Sequence, residues 1–222
     1  MQSNKQFIKK IITILEKEYP DPKTALIFST PHQLLVATIL SAQCTDARIN
    51  LVTENLFKKY KTIKSFADAN PEEFEQDIRP TGFYKNKTRN IIAASKIIAE
   101  KYNGQIPDNM EDLITLPGVA RKTANVVLSE AFDKEEGIAV DTHVIRLSNL
   151  LGIANNKDPK KIEVDLMKDT ERKDWSKLSN LLILHGRNTC IARKPKCEIC
   201  ALNKICPSAF KSAKHTMKNS PS

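Results

Sequence analysis

Two side chains in neighbouring segments could carry nucleophilic and acid–base chemistry, a lysine and an aspartate. Lys122 lies in residues 116–127, with the sequence LPGVARKTANVV, where a turn around Pro117 and Gly118 leads into an apolar-periodic helix. The lysine therefore falls in the first turn of that helix, where partial positive charge and unpaired N–H groups disfavour a nearby ammonium. Three interpretations of Lys122 follow: a solvated side chain, a phosphate contact, or an amine nucleophile.

Asp141 begins the next apolar-periodic segment, in the sequence VDTHV. Its local role is to cap the N-terminus of that helix, since aspartate accepts hydrogen bonds from the first backbone N–H groups. A helix from Lys122 to Ala131 is about 15 Å long, whereas the connection onward to Asp141 can extend about 30 Å. The chain is therefore long enough for Asp141 to return to Lys122.

Four of the five cysteines fall within 17 residues, with the spacing C-x6-C-x2-C-x5-C. In a reducing compartment such clustering indicates a metal site before disulfides. Structural zinc usually takes two short cysteine pairs, and thiolates also bind [4Fe–4S] clusters, so both assignments stay open, with free thiols as the third. The four candidates are Cys190, Cys197, Cys200 and Cys206, and the fifth cysteine, Cys44, stands alone.

The charge of the chain indicates a polyanionic partner. Arg193, Lys194 and Lys196 fill the loop before Cys197, where they could grip phosphate or serve solubility alone. The formal net charge is +9 and the pI is near 9.3, which points to nucleic acid or an anionic membrane surface.

No apolar run approaches the roughly 20 residues of a membrane span, and residues 1–10 lack a signal-peptide apolar region. We expect a cytoplasmic protein, nucleoid-associated if prokaryotic.

The elements that must position these groups have a helical pattern. Apolar residues recur at helical spacing, while sustained alternation and hairpin turns between β-branched runs are absent, so the sequence predicts an all-α protein. Two connections between helices carry further candidates. Gln43 follows an almost wholly apolar segment, and Phe83 follows Gly82, a residue free to adopt positive φ. Gln43 is either part of a plain connection or a group that faces a ligand, and Phe83 either packs locally or wedges into stacked bases.

These pieces together resemble the endonuclease III type of DNA glycosylase, in the helix-hairpin-helix superfamily, over nearly the whole chain. The matching segments are SAQCTD at residues 41–46, GFY at 82–84, residues 116–127, AVDTH at 139–143, LHGR at 184–187 and the four-cysteine spacing. The resemblance implies a [4Fe–4S] cluster on the four cysteines and two helical modules flanking a DNA-binding cleft. These are a six-helix module at residues 24–134, with the hairpin at about 109–132, and a cluster module at 1–23 plus 135–207. For residues 208–222 we expect a basic, disordered tail.

By the same resemblance, the protein is a monomeric base-excision repair enzyme acting on duplex DNA with a damaged pyrimidine or an abasic site. Lys122 corresponds to the nucleophile that attacks C1′ of a flipped nucleotide and forms a Schiff base, and Asp141 to the catalytic carboxylate. β-Elimination then cuts the strand on the 3′ side. Gln43 fills the vacated space, and Phe83 wedges from the opposite loop. The DNA contacts expected in this way are Gln43, Phe83, Gly118, Ala120, Arg121, Thr123, His143, Arg193, Lys194 and Lys196.

Two positions depart from the family pattern. Ala120 stands where the hairpin usually has a second glycine, and if that position needs a positive φ, alanine costs about 1 kcal/mol there. Phe83 replaces the more usual aliphatic wedge.

Two other functions are alternatives to this one. A monofunctional adenine or mismatch glycosylase would keep Asp141 but lack the lysine, and a non-catalytic DNA-binding module with structural zinc would lack visible absorption.

Overall fold

The computed structural model describes residues 3–211, and within that range the chain is helical with no strand, so the all-α prediction is confirmed. Short 3₁₀ turns lie at Arg79–Thr81, Arg172–Asp174 and Cys197–Ile199. The α-helices of the described range are α1 (Asn4–Glu18), α2 (Pro31–Leu40), α3 (Asp46–Lys59), α4 (Ile63–Ala67), α5 (Pro71–Ile78), α6 (Tyr84–Lys101), α7 (Met110–Leu113), α8 (Arg121–Phe132), α9 (Thr142–Leu151), α10 (Pro159–Asp169) and α11 (Trp175–Asn188).

The chain folds as two compact units, each with its own hydrophobic core. Thr24–Glu136 forms the first, which we call the hairpin unit, and Met1–Lys23 together with Gly137–Ser222 forms the second, the cysteine unit. Of the tail expected at 208–222, residues 208–211 form a turn, and the rest lies outside the described range. No helix within residues 3–211 has the length and apolar character needed to cross a membrane.

The hairpin unit is built around α2, whose side chains are buried on nearly every face. Eight of its ten residues are buried, which explains the continuous apolar run in the sequence. Helices α8, α3 and α6 pack on it, and α7 packs on α8. Because α8 lies directly against this central helix, the segment that carries Lys122 rests on the most buried part of the unit.

The cysteine unit is organised around α11. This helix packs against α9 and α1, and α10 packs against α1 and α9. Its core is aliphatic, and Leu178, Leu181 and Leu182 of α11 are fully buried at helical spacing. The segment from Ile138 to Val140 is also buried in this core, and Asp141 follows it directly.

The helix starts are set by side chains close to them in sequence. Thr45 accepts a hydrogen bond from the Arg48 N–H, Asn109 accepts one from the Asp112 N–H, and Asp141 accepts two. Each capping residue has an extended backbone, as N-caps do. The caps fix where α3, α7 and α9 begin, and therefore fix the lengths of the connections before them.

Candidate functional site

The turn between α7 and α8 is anchored by two buried side chains. Leu116 and Val119 are 2% and 7% exposed, and the Val119 N–H donates to the Leu116 carbonyl at 3.1 Å. Gly118 and Ala120 alternate with them and are exposed. The turn therefore presents the backbone at Gly118 and Ala120 outward while its apolar side chains hold it to the core.

Gly118 is required by both backbone geometry and packing. Its φ is +78°, in the left-handed region that favours glycine. A Cβ at this position would lie 2.9 Å from Cβ of Asn90, which belongs to α6. A side chain at position 118 would therefore collide with α6, so only glycine allows the turn to lie this close to that helix.

Ala120 does not adopt the conformation considered for a second hairpin glycine. Its φ of −90° and ψ of 168° are extended, so the expected cost of a positive φ does not arise. Ala120 is the N-cap of α8, and its methyl group cannot accept a hydrogen bond from the first N–H groups of that helix. An N-cap of this kind leaves the helix end suited to an external anion such as a phosphate.

Lys122 is the second residue of α8 and is half-buried, between the exposed Arg121 and the buried Thr123. Thr123 is 9% exposed, so its backbone N–H in the first turn of α8, rather than its buried hydroxyl, is the group it can offer to an external anion. Lys122 therefore belongs to the first turn of α8, at the positive end of that helix, and follows a second cation in the sequence.

Asp141 caps α9 through one oxygen of its carboxylate. Oδ1 accepts hydrogen bonds from the N–H groups of His143 at 2.8 Å and Val144 at 2.9 Å. The segment before it is fixed by Ser179 of α11, whose hydroxyl donates to the Ala139 carbonyl at 2.6 Å. The predicted capping role is confirmed, and the second oxygen, Oδ2, takes part in neither of these two hydrogen bonds.

His143 of α9 packs against α11 at Gly186. A Cβ on Gly186 would lie 2.8 Å from the His143 Nδ1, so the glycine of the LHGR segment makes room for the imidazole. Burial lowers the pKa of His143, Arg187 and Arg146 lower it further, and Asp141 opposes them. The ring is half-buried, and its low basicity suits a hydrogen-bonding role next to Asp141 better than a cationic one.

Gln43 and Phe83 lie on two exposed connections of the hairpin unit. Gln43 has a φ of 56° and Phe83 a φ of 50°, both left-handed and rare for non-glycine residues. The Phe83 ring is 63% exposed, although an aromatic side chain of this size is normally covered. Gly82, just before it, has the positive φ that the sequence allowed.

Lys87 of α6 differs in burial from the two cations that lie nearest to it in the sequence. Lys85 and Arg89 are exposed, whereas Lys87 is 5% exposed and donates to the carbonyls of Leu40 and Thr81. The helical period of the sequence indicates that Lys87 is buried, because it stands four residues before the buried Ile91 on the inner face of α6.

The four clustered cysteines line one cavity of about 180 Å³ in the cysteine unit. Cys190 follows α11, its N–H donating to the His185 carbonyl, and the Cys206 N–H donates to the carbonyl of the buried Leu202. Two side chains face the sulfurs: Arg146 donates to Cys190 Sγ at 3.6 Å, and His185 Nε2 lies 3.4 Å from Cys200 Sγ. Burial lowers the pKa of His185 to about 4, so this imidazole is neutral.

The donor set fits an iron–sulfur cluster better than a single zinc ion. Burial raises the pKa of the thiols of Cys190, Cys200 and Cys206, so thiolates here call for a cationic partner. In the described part of the chain, no group of three or more His, Cys, Asp or Glu side chains is arranged to hold one metal ion. Tetrahedral zinc needs four sulfurs about 2.3 Å from one point, whereas a four-iron cluster spreads its thiolates around a larger body.

The basic loop between Cys190 and Cys197 is exposed. Arg193, Lys194 and Lys196 all lie at the surface, and the Lys196 N–H donates to the Thr189 carbonyl at 3.0 Å, which closes the base of the loop. A loop held at both ends by cluster ligands keeps its cations on one side of the unit. This arrangement suits contact with phosphates.

Two family models match parts of this chain. Residues 36–172 match the HhH-GPD superfamily of base excision DNA repair proteins, and residues 190–206 match the iron-sulfur binding domain of endonuclease III. Endonuclease III of Synechocystis sp. is 51% identical over 94% of this chain and 95% of its own length. Endonuclease III of Bacillus subtilis is 45% identical over 90% of this chain and 92% of its own.

A solved structure described as a trapped endonuclease III–DNA covalent intermediate superposes with a TM-score of 0.88, at 42% identity, covering 98% of this chain and 100% of that one. The HhH-GPD model covers the hairpin and Asp141, and the iron-sulfur model covers the four clustered cysteines. The extent and identity of these matches are decisive. This chain belongs to the endonuclease III family, within the HhH-GPD superfamily of base excision DNA repair proteins.

Proposed function

We propose that this chain removes oxidised pyrimidines from duplex DNA and cuts the resulting abasic site on its 3′ side through a Schiff base on Lys122. The observation that carries the proposal is the lysine in the first turn of α8, directly after the outward-facing turn of the hairpin. A relative with 42% identity has been trapped as a covalent intermediate with DNA, and an amine nucleophile accounts for such an intermediate.

The proposed reaction assigns a separate role to each group. Backbone N–H groups of Gly118, Ala120 and the first turn of α8 bind a phosphate, and Phe83 and Gln43 support a nucleotide that has left the base stack. Nζ of Lys122 attacks C1′, the bond from C1′ to the base breaks, and the base leaves with that electron pair. Asp141 accepts a proton or stabilises the positive charge that develops on the sugar.

The second half of the reaction uses the same lysine. Opening of the sugar ring gives a Schiff base between Nζ and C1′, which acidifies the C2′ proton. Loss of that proton expels the 3′ phosphate, and water then hydrolyses the Schiff base to release Lys122. We assign the role of proton acceptor to Asp141, through the oxygen that takes no part in the two capping hydrogen bonds of α9.

The [4Fe–4S] cluster of this family fits the cavity lined by Cys190, Cys197, Cys200 and Cys206. When bound, it supplies four iron–thiolate bonds that cross-link residues 190–206. The chain itself supplies the contacts with DNA. Arg193, Lys194 and Lys196 lie at the surface, where they bind phosphates. His143 contacts the DNA near Asp141. We propose that the protein acts as a monomer.

Borohydride trapping tests the proposal. The protein is incubated with duplex DNA bearing an abasic site or thymine glycol, borohydride is added, and covalent adducts are counted on a denaturing gel. The wild type should form an adduct and Lys122→Ala should form none. Lys134→Ala is the matched control, because Lys134 is an exposed lysine just past the other end of α8, paired with Asp108.

The outcome separates the candidate functions. No adduct with the wild type, or an adduct with Lys122→Ala as abundant as with the wild type, refutes the lyase assignment. Base release without an adduct indicates the monofunctional glycosylase. Absence of visible absorption from the purified protein, with zinc bound instead, indicates the non-catalytic module.

A further inference from the structure

Lys87 has a buried ammonium that the reaction described above does not use. It lies in the first turns of α6, with 5% of its surface exposed, on the same face as the buried Thr88 and Ile91. Burial lowers the pKa of Lys87, so its charged form depends on hydrogen-bond acceptors close to Nζ. The polar head therefore calls for a role beyond filling the core.

The Lys87 ammonium connects the starts of two separate loops. Nζ donates to the carbonyl of Leu40 at 2.8 Å and to the carbonyl of Thr81 at 2.8 Å. Leu40 is the last residue of α2, where carbonyls lack partners within the helix and the helix dipole favours a cation. Thr81 is the last residue of the 3₁₀ turn before Gly82. One side chain thus joins connections that are 41 positions apart in the sequence.

Both loops reach a strained, exposed residue shortly after the lysine contact. Gln43 comes three residues after Leu40 with a φ of 56°, and Phe83 comes two residues after Thr81 with a φ of 50°. Non-glycine residues keep such conformations when the surrounding structure enforces them, and this pattern is frequent at ligand-binding sites. The two side chains assigned to DNA therefore depend on the positions of the two carbonyls that Lys87 holds.

We propose that Lys87 is a positioning residue that clamps the Gln43 loop to the Phe83 turn, so that both side chains meet the duplex together when a nucleotide is extruded. This inference rests on the proposed function, because it takes Gln43 and Phe83 to be the residues that enter the DNA. Lys87 itself touches neither substrate nor reacting atoms. Its effect is confined to the steps in which the duplex is opened.

The test compares a substrate that must be opened with one that is already open. Lys87→Met keeps an unbranched side chain that is one atom shorter and removes both hydrogen bonds, and Thr88→Val is the matched control. Thr88 is adjacent on α6, 2% exposed, and its Oγ1 has no hydrogen-bond partner among the described residues. Rates are measured for thymine glycol release from duplex DNA and for borohydride trapping on a single-stranded oligonucleotide with an abasic site. All rates are normalised to the trappable fraction of enzyme.

Lys87→Met should lower the duplex rate by about 10- to 100-fold, the loss typical of groups displaced by about 1 Å, and change the single-strand rate by less than about twofold. Thr88→Val should change neither rate. In a Gln43→Ala, Phe83→Ala background, Lys87→Met should have almost no further effect on the duplex rate, because the residues it positions are absent. If Lys87→Met yields no folded protein, Lys87→Gln carries the same comparison.

If Lys87→Met lowers the duplex and single-strand rates by the same factor, or lowers neither, the proposed clamp is wrong. Lys87 is then a structural residue of the core. An additive effect in the Gln43→Ala, Phe83→Ala background also overturns it. Failure of the proposed function looks different, since a wild type that forms no adduct with either DNA refutes the lyase reaction before Lys87 is tested.

Discussion

Substitution of Gly118 by alanine probes the hairpin turn most directly. The change introduces two separate costs. An alanine at a φ of +78° is left-handed, which costs about 1–2 kcal/mol. The added Cβ also meets Cβ of Asn90 at 2.9 Å, so the turn or α6 must move, and overpacking of this kind costs about 1–3 kcal/mol.

The chain offers a matched control for the first cost. Gly104 lies just past the end of α6 with a φ of +73°, and a Cβ there has no atom within 4 Å. Gly104→Ala therefore carries the backbone cost alone. We expect a loss of about 1–2 kcal/mol for Gly104→Ala and about 2–5 kcal/mol for Gly118→Ala, which corresponds to about 2–4 °C in melting temperature per kcal/mol in a protein of this size.

Urea unfolding followed by circular dichroism measures both variants, and borohydride trapping measures the effect on the site. Gly118→Ala should lower trapping at limiting enzyme because the phosphate-binding backbone is displaced, whereas Gly104→Ala should trap like the wild type. If Gly118→Ala is no less stable than Gly104→Ala, the close approach of the turn to α6 is wrong. If it is less stable but traps normally, the turn is not the phosphate site.

Three further predictions address single residues. Asp141→Asn should retain the cap of α9 and unfold within about 1 kcal/mol of the wild type, while base release in single-turnover assays falls about 10²- to 10⁴-fold; unchanged turnover would reduce Asp141 to a helix cap. Ala120→Gly should change stability by less than about 0.5 kcal/mol, because glycine relieves no positive-φ strain at a φ of −90° and its entropic cost is offset by its preference for the N-cap position; a gain of about 1 kcal/mol or more would contradict this. Burial lowers the pKa of His32 to about 4, whereas the unfolded chain takes up this proton near pH 6.5. The free energy of unfolding should therefore fall by about 3 kcal/mol as the pH drops from 6.5 to 4, and this contribution is fully present above about pH 6.5. His32→Gln should be less dependent on pH in that window, and an identical pH profile of unfolding would show that His32 is not the group responsible.

Local signals in the sequence accounted for much of the candidate site. Asp141 was identified as a cap because an N-cap and the N–H groups it binds lie within three residues of each other. The second helix of the hairpin, Arg121–Phe132, follows from its apolar period and the glycine turn before it. The spacing of the cysteines indicated a metal site because all four lie within 17 residues.

Features that depend on contacts distant in the sequence were missed. The partner of Lys87 at Leu40 is 47 positions away, and nothing in either local segment indicates the pairing. The conformation of Ala120 was also open, because the residue type alone did not decide whether the position has a positive φ. The choice between zinc and an iron–sulfur cluster likewise needed the arrangement of the thiols, because the spacing matched neither pattern closely.

In the proposed reaction Asp141 has two roles, since it caps α9 and also accepts a proton. Oδ1 accepts both N–H groups at the start of α9, at 2.8 and 2.9 Å, which fixes the plane of the carboxylate relative to that helix. Oδ2 is oriented by the same two hydrogen bonds without taking part in them, so no capping bond has to break when a proton is transferred. Asparagine reproduces the first function through its amide oxygen and fails in the second, because its NH₂ group cannot accept a proton. The capping geometry therefore supports a catalytic role for Asp141, and a separation of stability from turnover in Asp141→Asn is the expected signature of the two oxygens.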